Sequence, residues 1–384
     1  MSTDVRESER EIPVAPKGGN FEKSWEIFRE NSLALAGLAI FVAFFFVAVM
    51  GLALTSGNDP VFDPALVRLQ EKLQPPLASA RLDLLAPDQA PGLGVYLFGT
   101  DNLGRDVFAR MLQGAWVSLT VGFVAVGISV IIGIFMGGIA GYFGRVAVRL
   151  GDILTGGAFL VAILLLSIKI VIPGAVLFVM GLALLGLLKG RKGTRRRSSQ
   201  FLRLMNREAI SVDTVVMRMV DIMLCFPSFF LILTVVALLP ASIYNIMIVI
   251  GLTSWMGTAR FVRAEFLSLR EQDFVTAARA LGVGDLRIIF RHMLPNALAP
   301  VMVSATIGIA TAILTEAGLS FLGFGVPPPH ATWGNILSDG KNFIFDAPWL
   351  TFVPGIAILV VVLSFNLFGE GLRDALNPRL KERT

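Results

Sequence analysis

Apolar residues along this chain come in long unbroken blocks separated by polar stretches, with little strict alternation. A helix needs about 20 apolar residues to cross roughly 30 Å of hydrocarbon. On that measure the pattern predicts six spans, at roughly 31–55, 115–143, 216–239, 243–262, 297–320 and 347–369. A further apolar block, 154–188, is interrupted at Pro173-Gly174. Continuous apolar blocks argue against an outer-membrane barrel, whose strands alternate. The expected fold class is therefore an all-α polytopic membrane protein.

Lys and Arg set the orientation, because cytoplasmic loops carry the excess of basic residues. With a cytoplasmic N-terminus, 26 of the 33 basic residues fall in segments 1–30, 144–153, 189–218, 257–296 and 370–384. Only six fall in the opposite segments, 56–113 and 321–346, and Lys169 is left over. Both termini are thus expected in the cytoplasm. A single helix over 154–188 would put "KGRKGTRRRSS" (Lys189 to Ser199) outside and invert every later span. Two short helices hinged at Pro173-Gly174 keep it inside, so the chain reads as eight spans with an inserted hairpin. A re-entrant or membrane-surface hairpin is the alternative. The expected organisation is a tail (1–30), a first span (31–55), an external loop (56–113), a transmembrane domain (114–369) and a second tail (370–384). Within the membrane domain lie the inserted hairpin and basic loop (150–210) and a polar loop (273–296).

Composition supports the class and removes others. The 384 residues are 55% hydrophobic and 16% charged, with mean hydropathy +0.73, where a soluble domain carries about 25% charged residues. The net charge of +5 says little until each charge is placed. One cysteine, Cys225, excludes an internal disulfide framework. Two histidines, His292 and His330, give poor support to metal or acid–base chemistry, and no catalytic, cofactor or metal site is expected. No G-x-x-x-x-G-K-[ST] phosphate loop occurs; "GRKGT" at 190–194 has similar letters in the wrong order. The first 30 residues lack a cleavable-signal pattern, and Leu33 to Leu54 reads as a retained span. The basic run Arg195-Arg196-Arg197 beside a span suits anionic lipid and topology rather than nucleic acid.

Several polar residues stand out. Gly133, Gly137 and Gly141 share one helix face and permit close backbone approach to a neighbour. Arg218 and Asp221, three apart, suit a structural ion pair. Trp333 and Trp349 suit interface anchors. Asp101, Arg105 and Asp106 suit a fixed turn or a contact with a delivering protein. Glu316, near the outer end of the fifth core span, is either a functional ionisable group or a lock for the bend at Gly318 and Gly323, the second being favoured.

The polar loop "DFVTAARALGVGDLRIIFRHMLPNALAP" (Asp273 to Pro300) predicts a short helix, a bend at Gly282 and Gly284, and a second short helix. Asp285 is the expected N-cap of that second helix, and Leu294-Pro295 its close before the next span. Composition alone fits an amphipathic connector in the headgroups. The order of residues, however, resembles the "EAA" loop of permease subunits in bacterial ABC importers, on Thr276-Ala277-Ala278, Gly282 and Leu294-Pro295. Thr276 stands where Glu is usual, and His292 where an apolar residue is usual. "FGTDNLGRDVFARM" (Phe98 to Met111), "MRMVDIMLCFPSFFL" (Met217 to Leu231) and "EAGLSFLGFGVPPPHATWGNIL" (Glu316 to Leu337) resemble the dipeptide, oligopeptide and nickel branch, in its second-permease or C-type line. The likeness covers about 20–143 and 211–384; 150–210 has no counterpart in it.

That resemblance implies a type I importer core of six transmembrane helices that catalyses no chemistry itself. It implies as partners a homologous second permease, two ATPase subunits and an external solute-binding protein, with ATP bound on another chain. The ATPase-coupling surface would comprise Phe274, Thr276, Ala277, Ala278, Gly282, Leu294 and Pro295. Asp101, Arg105, Asp106 and Glu316 would be binding-protein or gate contacts. The implied location is the bacterial inner membrane. Peptides are the first expectation for substrate and nickel the second. A self-sufficient ion-coupled carrier is disfavoured, because no clear internal repeat is seen and charges gather at span ends. A membrane scaffold using the inserted hairpin is the third class.

Overall fold

The computed structural model describes residues 20–57, 60–81, 83, 85, 91–149, 154–155, 158–159, 176–182 and 208–376. Helices dominate: α1 (Asn20–Glu30), α2 (Ser32–Thr55), α3 (Val107–Tyr142), α4 (Val212–Leu224), α5 (Ser228–Leu238), α6 (Ile243–Leu269), α7 (Asp273–Ala280), α8 (Leu294–Phe321), α9 (Trp333–Gly340) and α10 (Trp349–Leu376). Among the described residues five helices are long and apolar enough to cross a membrane, and a bent pair makes a sixth. These are the six blocks read from hydropathy, but their ends differ. Helix α3 begins at Val107 rather than near 115, because Asp106 caps it and Arg110 and Gln113 continue the helix below any hydropathy threshold. Helix α6 runs on to Leu269 for the same reason, through Arg260, Arg263 and Glu265.

The block expected at 216–239 is not one straight span. It is α4 and α5, bent by 79° at a break around Cys225–Pro227. Pro227 offers no N–H to the preceding turn and disfavours helical backbone at Phe226. The second correction lies at Leu294-Pro295, which does not end a helix. A turn at Asp285–Arg287 and a π-helical segment Ile288–Met293 run straight into α8, a 37-residue helix overall. Leu294 N–H reaches back to the Ile289 carbonyl. The wider π turn accommodates Pro295, whose ring and missing N–H an α turn does not.

The core is a seam between α3 and α6. A Cβ at Gly133 would lie 2.6 Å from Thr258 Cβ, and one at Gly141 2.5 Å from Phe266 Cβ. At Gly137 it would overlap the Ala259 carbonyl oxygen. Gly251 of α6 answers from the other side, where a Cβ would lie 2.7 Å from Ile128 Cβ. In lipid, helices gain little from apolar burial against each other, so such backbone approach carries the packing. Helix α10 closes on α2 in the same way, where a Cβ at Gly37 would lie 2.8 Å from Leu367 Cβ and one at Gly371 would overlap Ala34 Cβ.

The predicted hairpin over 154–188 and the basic run after it lie mostly outside the described residues. Within it, Phe159 meets Phe178 edge-on with ring centroids 5.2 Å apart. Its neck is an antiparallel ladder, β3 (Ala147–Arg149) with β4 (Glu208–Ser211), pairing Ala147 with Ser211 and shifting register after Val148. Asp213 and Arg263 pair just beyond the neck in a fork, Nε to Oδ1 and Nη2 to Oδ2. The insertion therefore leaves and returns at one point without parting α3 from α4.

Replacing Gly137 by Val should overpack the seam and cost about 2 kcal/mol. Gly127→Ala, on an open face of α3 with nothing within 4 Å, should not. Thermal unfolding of the purified protein in detergent checks the contrast; equal midpoints for the two variants would contradict the seam.

Candidate functional site

Two clusters of sequence-flagged residues lie at opposite ends of α3. The first is at the end that receives the long 56–106 loop. A two-stranded ladder, β1 (Ala78–Ser79) with β2 (Val95–Tyr96), folds this loop back. Asp101 is fully buried there. Its Oδ1 accepts from the N–H groups of Leu103 and Arg105 at 2.8 and 2.9 Å, which makes the turn. Its Oδ2 pairs with Arg105 Nε and Arg110 Nη1, both at 2.6 Å. Both arginines continue to Asp339 Oδ2, at 3.0 and 2.8 Å, and Arg110 Nη2 reaches Asn335 Oδ1 at 3.3 Å. Two carboxylates thus balance two guanidiniums, and the network ties the loop and α3 to α9. Arg110, Asn335 and Asp339 escaped the sequence reading; Asp339 lies too far along the chain for any spacing rule to join it to Arg110.

Asp106 is not part of this network. It caps α3, accepting from Phe108 N–H at 2.8 Å. Burial pushes its carboxyl above the usual carboxylate range, and the Phe108 N–H and the Arg68 charge pull partly back. Glu316 is fully buried inside the chain. Its Oε1 accepts from Ser320 Oγ at 2.7 Å, with the hydroxyls of Ser118 and Thr332 beside it. It thus joins α8 to α3 and to the start of α9 rather than facing an opening. Trp333, expected at an interface, is buried and donates from Nε1 to the Met111 carbonyl at 3.3 Å. Trp349 is half-buried and donates to the Thr100 carbonyl at 3.2 Å. A cavity of about 430 Å³ opens beside the network, lined by Arg105, Arg110, Asp339, His330 and Asn335.

The second cluster is the loop at the other end of α3. Helix α7 ends in a Schellman motif: Val283 N–H bonds to the Ala278 carbonyl at 3.1 Å and Gly282 N–H to that of Arg279 at 2.9 Å. That motif needs a left-handed residue, and Gly282 has φ +76°. A side chain there would meet nothing within 4 Å, so the requirement is on backbone conformation alone. Asp285 does not cap the second helix; Gly284 holds that position without a side-chain bond. Instead Asp285 Oδ1 accepts from Tyr142 Oη at 2.5 Å.

The two alanines diverge. Ala278 is turned inward with Val275, Ile288 and Met293 against Phe266 and Leu269 of α6. Thr276 and Ala277 face outward. Phe274, Leu281, Leu286 and Phe290 join them as an exposed apolar face, with Leu281 84% exposed. Of the remaining flagged residues, Pro295 is exposed and Leu294 half-buried. Leu281, Leu286 and Phe290 were not flagged; in the sequence they look like the buried side of an amphipathic helix. Arg218 and Asp221 do meet, at 3.6 Å on an exposed face, but Asp221 binds Arg260 more closely at 2.8 Å.

Long glycine-packed spans joined by a bent polar loop define a polytopic α-helical membrane protein. Residues 201–382 match the family described as binding-protein-dependent transport system inner membrane component. A dipeptide transport system permease protein DppC of Alkalihalophilus pseudofirmus is 35% identical, over 94% of this chain and 90% of that one. The DppC of Haemophilus influenzae is 31% identical over 98% and 100%, and the oligopeptide permease OppC of Bacillus subtilis 30% over 92% and 88%. A solved chain of the MetNI methionine ABC transporter, in an inward facing conformation, has a TM-score of 0.42 at 16% identity, covering 69% of this chain and 95% of that one. On the sequence relationships, the chain belongs to the dipeptide and oligopeptide family of ABC importer permeases.

Asp101→Ala should leave a buried guanidinium short of a carboxylate and cost about 3 kcal/mol of stability. Asp339→Ala, at the wetter edge, should cost about 1 kcal/mol or less. Thermal midpoints of the two variants check the order; a reversed order would remove Asp101 from the centre of the network.

Proposed function

We propose that this chain is one of two related permeases that together line a path for short peptides across a bacterial cytoplasmic membrane. ATP hydrolysis on two separate subunits drives the path between its states, and an external solute-binding protein delivers the cargo. The observation that carries this reading is the outward apolar face of the bent loop. Phe274, Leu281, Leu286 and Phe290 expose large side chains on a segment rich in arginine, outside the length needed to cross lipid. Burying one such leucine in a partner's groove is worth about 2 kcal/mol, and central apolar anchors of this kind dominate interface energetics. Thr276 and Ala277 lie beside them and leave room for close approach; Ala278 belongs to the loop's own core. Gly282 holds the bend that presents this face.

The charge distribution supports a cytoplasmic position for that face and for both termini. The opposite end of α3, with the cavity beside Arg105 and Asp339, is then the external mouth, where a delivering protein docks. The relatives' names support peptides as cargo.

Two labelling sites test the arrangement. Cysteine in place of Phe345, which is 98% exposed between α9 and α10, should react with an impermeant maleimide in intact cells. Cysteine in place of Leu281 should react only in inverted vesicles, and there should crosslink to an ATPase subunit. The isolated chain in liposomes should take up no dialanine with or without ATP. Labelling of Leu281→Cys from outside, or uptake by the isolated chain, would overturn the reading.

A further inference from the structure

Tyr142 closes α3 directly beneath the bent loop and is itself 6% exposed. Its phenol donates to Asp285 Oδ1 at 2.5 Å. The guanidinium carbon of Arg279 lies over its ring, 4.9 Å from the centroid, within the range of a cation–π contact. Phe143 braces the ring edge-on, with centroids 4.8 Å apart. Arg270 Nη1 holds the end of α3 by reaching the carbonyls of Gly141 and Tyr142 at 3.4 and 3.3 Å.

The placement of the two loop partners matters. Arg279 belongs to the last turn of α7, and Asp285 is the first residue of the helix that becomes α8. Gly282 and Gly284 lie between them, and a Cβ at either would meet nothing within 4 Å. Packing at these glycines therefore does not set the angle between the two arms. Besides the core that Val275 and Ala278 share with Ile288 and Met293, one aromatic side chain from a third element grips both arms, one by charge over its face and the other by its hydroxyl. The other end of α3 holds Arg110 in the external ion network, about 48 Å away for the 32 residues between them at 1.5 Å each.

We infer that Tyr142 is the positioning residue that fixes the α7 arm relative to α8 and passes the arm's displacement to α3. This rests on the proposed function, in which α7 meets the ATPase. When the ATPases close, the arm moves as a lever only while its angle is held; with the hydroxyl bond lost, part of the stroke is absorbed in rotation about the glycine bend. The bond transmits position and takes no part in binding cargo or nucleotide.

The test uses the full complex with its ATPase subunits and binding protein in proteoliposomes, reading dialanine taken up per ATP hydrolysed. Tyr142→Phe keeps the ring, its packing and the Arg279 charge over its face, and removes the hydroxyl with its bonds to Asp285 and Arg279. It should lower the ratio about threefold, within the range by which single residues alter coupling between sites. Asp285→Ala should lower it too, and the double variant should fall no further than Tyr142→Phe, because the Asp285 bond is already lost with the hydroxyl. Asp285→Asn keeps an acceptor for the hydroxyl and should restore the parental ratio. A parental ratio in Tyr142→Phe overturns the inference. So does a loss confined to the yield of assembled complex, or a double variant that falls by the product of the single effects. If the parental complex itself shows no ATP-dependent uptake, the proposed function fails first and this inference with it.

Discussion

Everything in this chain that has two ends depends on α3 and α6 lying against each other without side chains between them. Gly133, Gly137 and Gly141 bring α3 so close that the carbonyls and Cβ atoms of Thr258, Ala259, Arg263 and Phe266 occupy the space a side chain needs. Apolar burial gives helices in lipid little reason to stay paired, so the contact rests on dispersion between closely fitted backbones. Such a fit has no smooth path for sliding, because a displacement of a few ångströms drives a turn of one helix into a turn of the other. The pair is therefore best understood as one body carrying a polar device at each end.

The two devices are built on opposite principles. At the long-loop end, two carboxylates and two guanidiniums meet, with Asp101 and Arg110 buried and Asp101 satisfied on both oxygens. Buried ion pairs add little net stability over apolar packing, yet removing one partner is severe. The network is thus a device for specificity of arrangement, joining the loop, α3 and α9. At the other end the loop buries Val275, Ala278, Ile288 and Met293 against α6 and leaves Phe274, Leu281, Leu286 and Phe290 uncovered. That division follows from helical periodicity along both arms of the loop, where one face of each closes the loop's own core and the other is free to meet a partner.

The class and most of the spans were legible in the sequence because lipid imposes a length, and length survives in hydropathy without any knowledge of packing. Span ends were legible only where polarity changes abruptly; Arg110 and Arg263 sit inside helices that hydropathy ends too early. The break at Pro227 was hidden because its neighbours are apolar on both sides, so a bent pair and a straight span have the same profile. At Pro295 the opposite happened: a proline that looked like a stop was absorbed by a π turn. The bend at Gly282 was readable, since few residues other than glycine accept φ +76°. Which alanine faces out was not, because Ala277 and Ala278 carry the same letter and differ only in what lies behind them. Asp339 and Tyr142 were invisible for a simpler reason, as their partners lie far away in the chain and no local pattern points to them.

The claim that α3 and α6 travel together can be measured directly. Spin labels at Gly127 on α3 and Gly257 on α6, both facing open space, report the separation of the two helices in the assembled transporter without nucleotide and with nucleotide trapped. The account requires a distance that stays within about 2 Å between the states, since a register change would move one helix past the other by about one 5.4 Å turn. A shift of that larger size, with transport intact, would mean that the seam slides and that α3 is not carried by its neighbour.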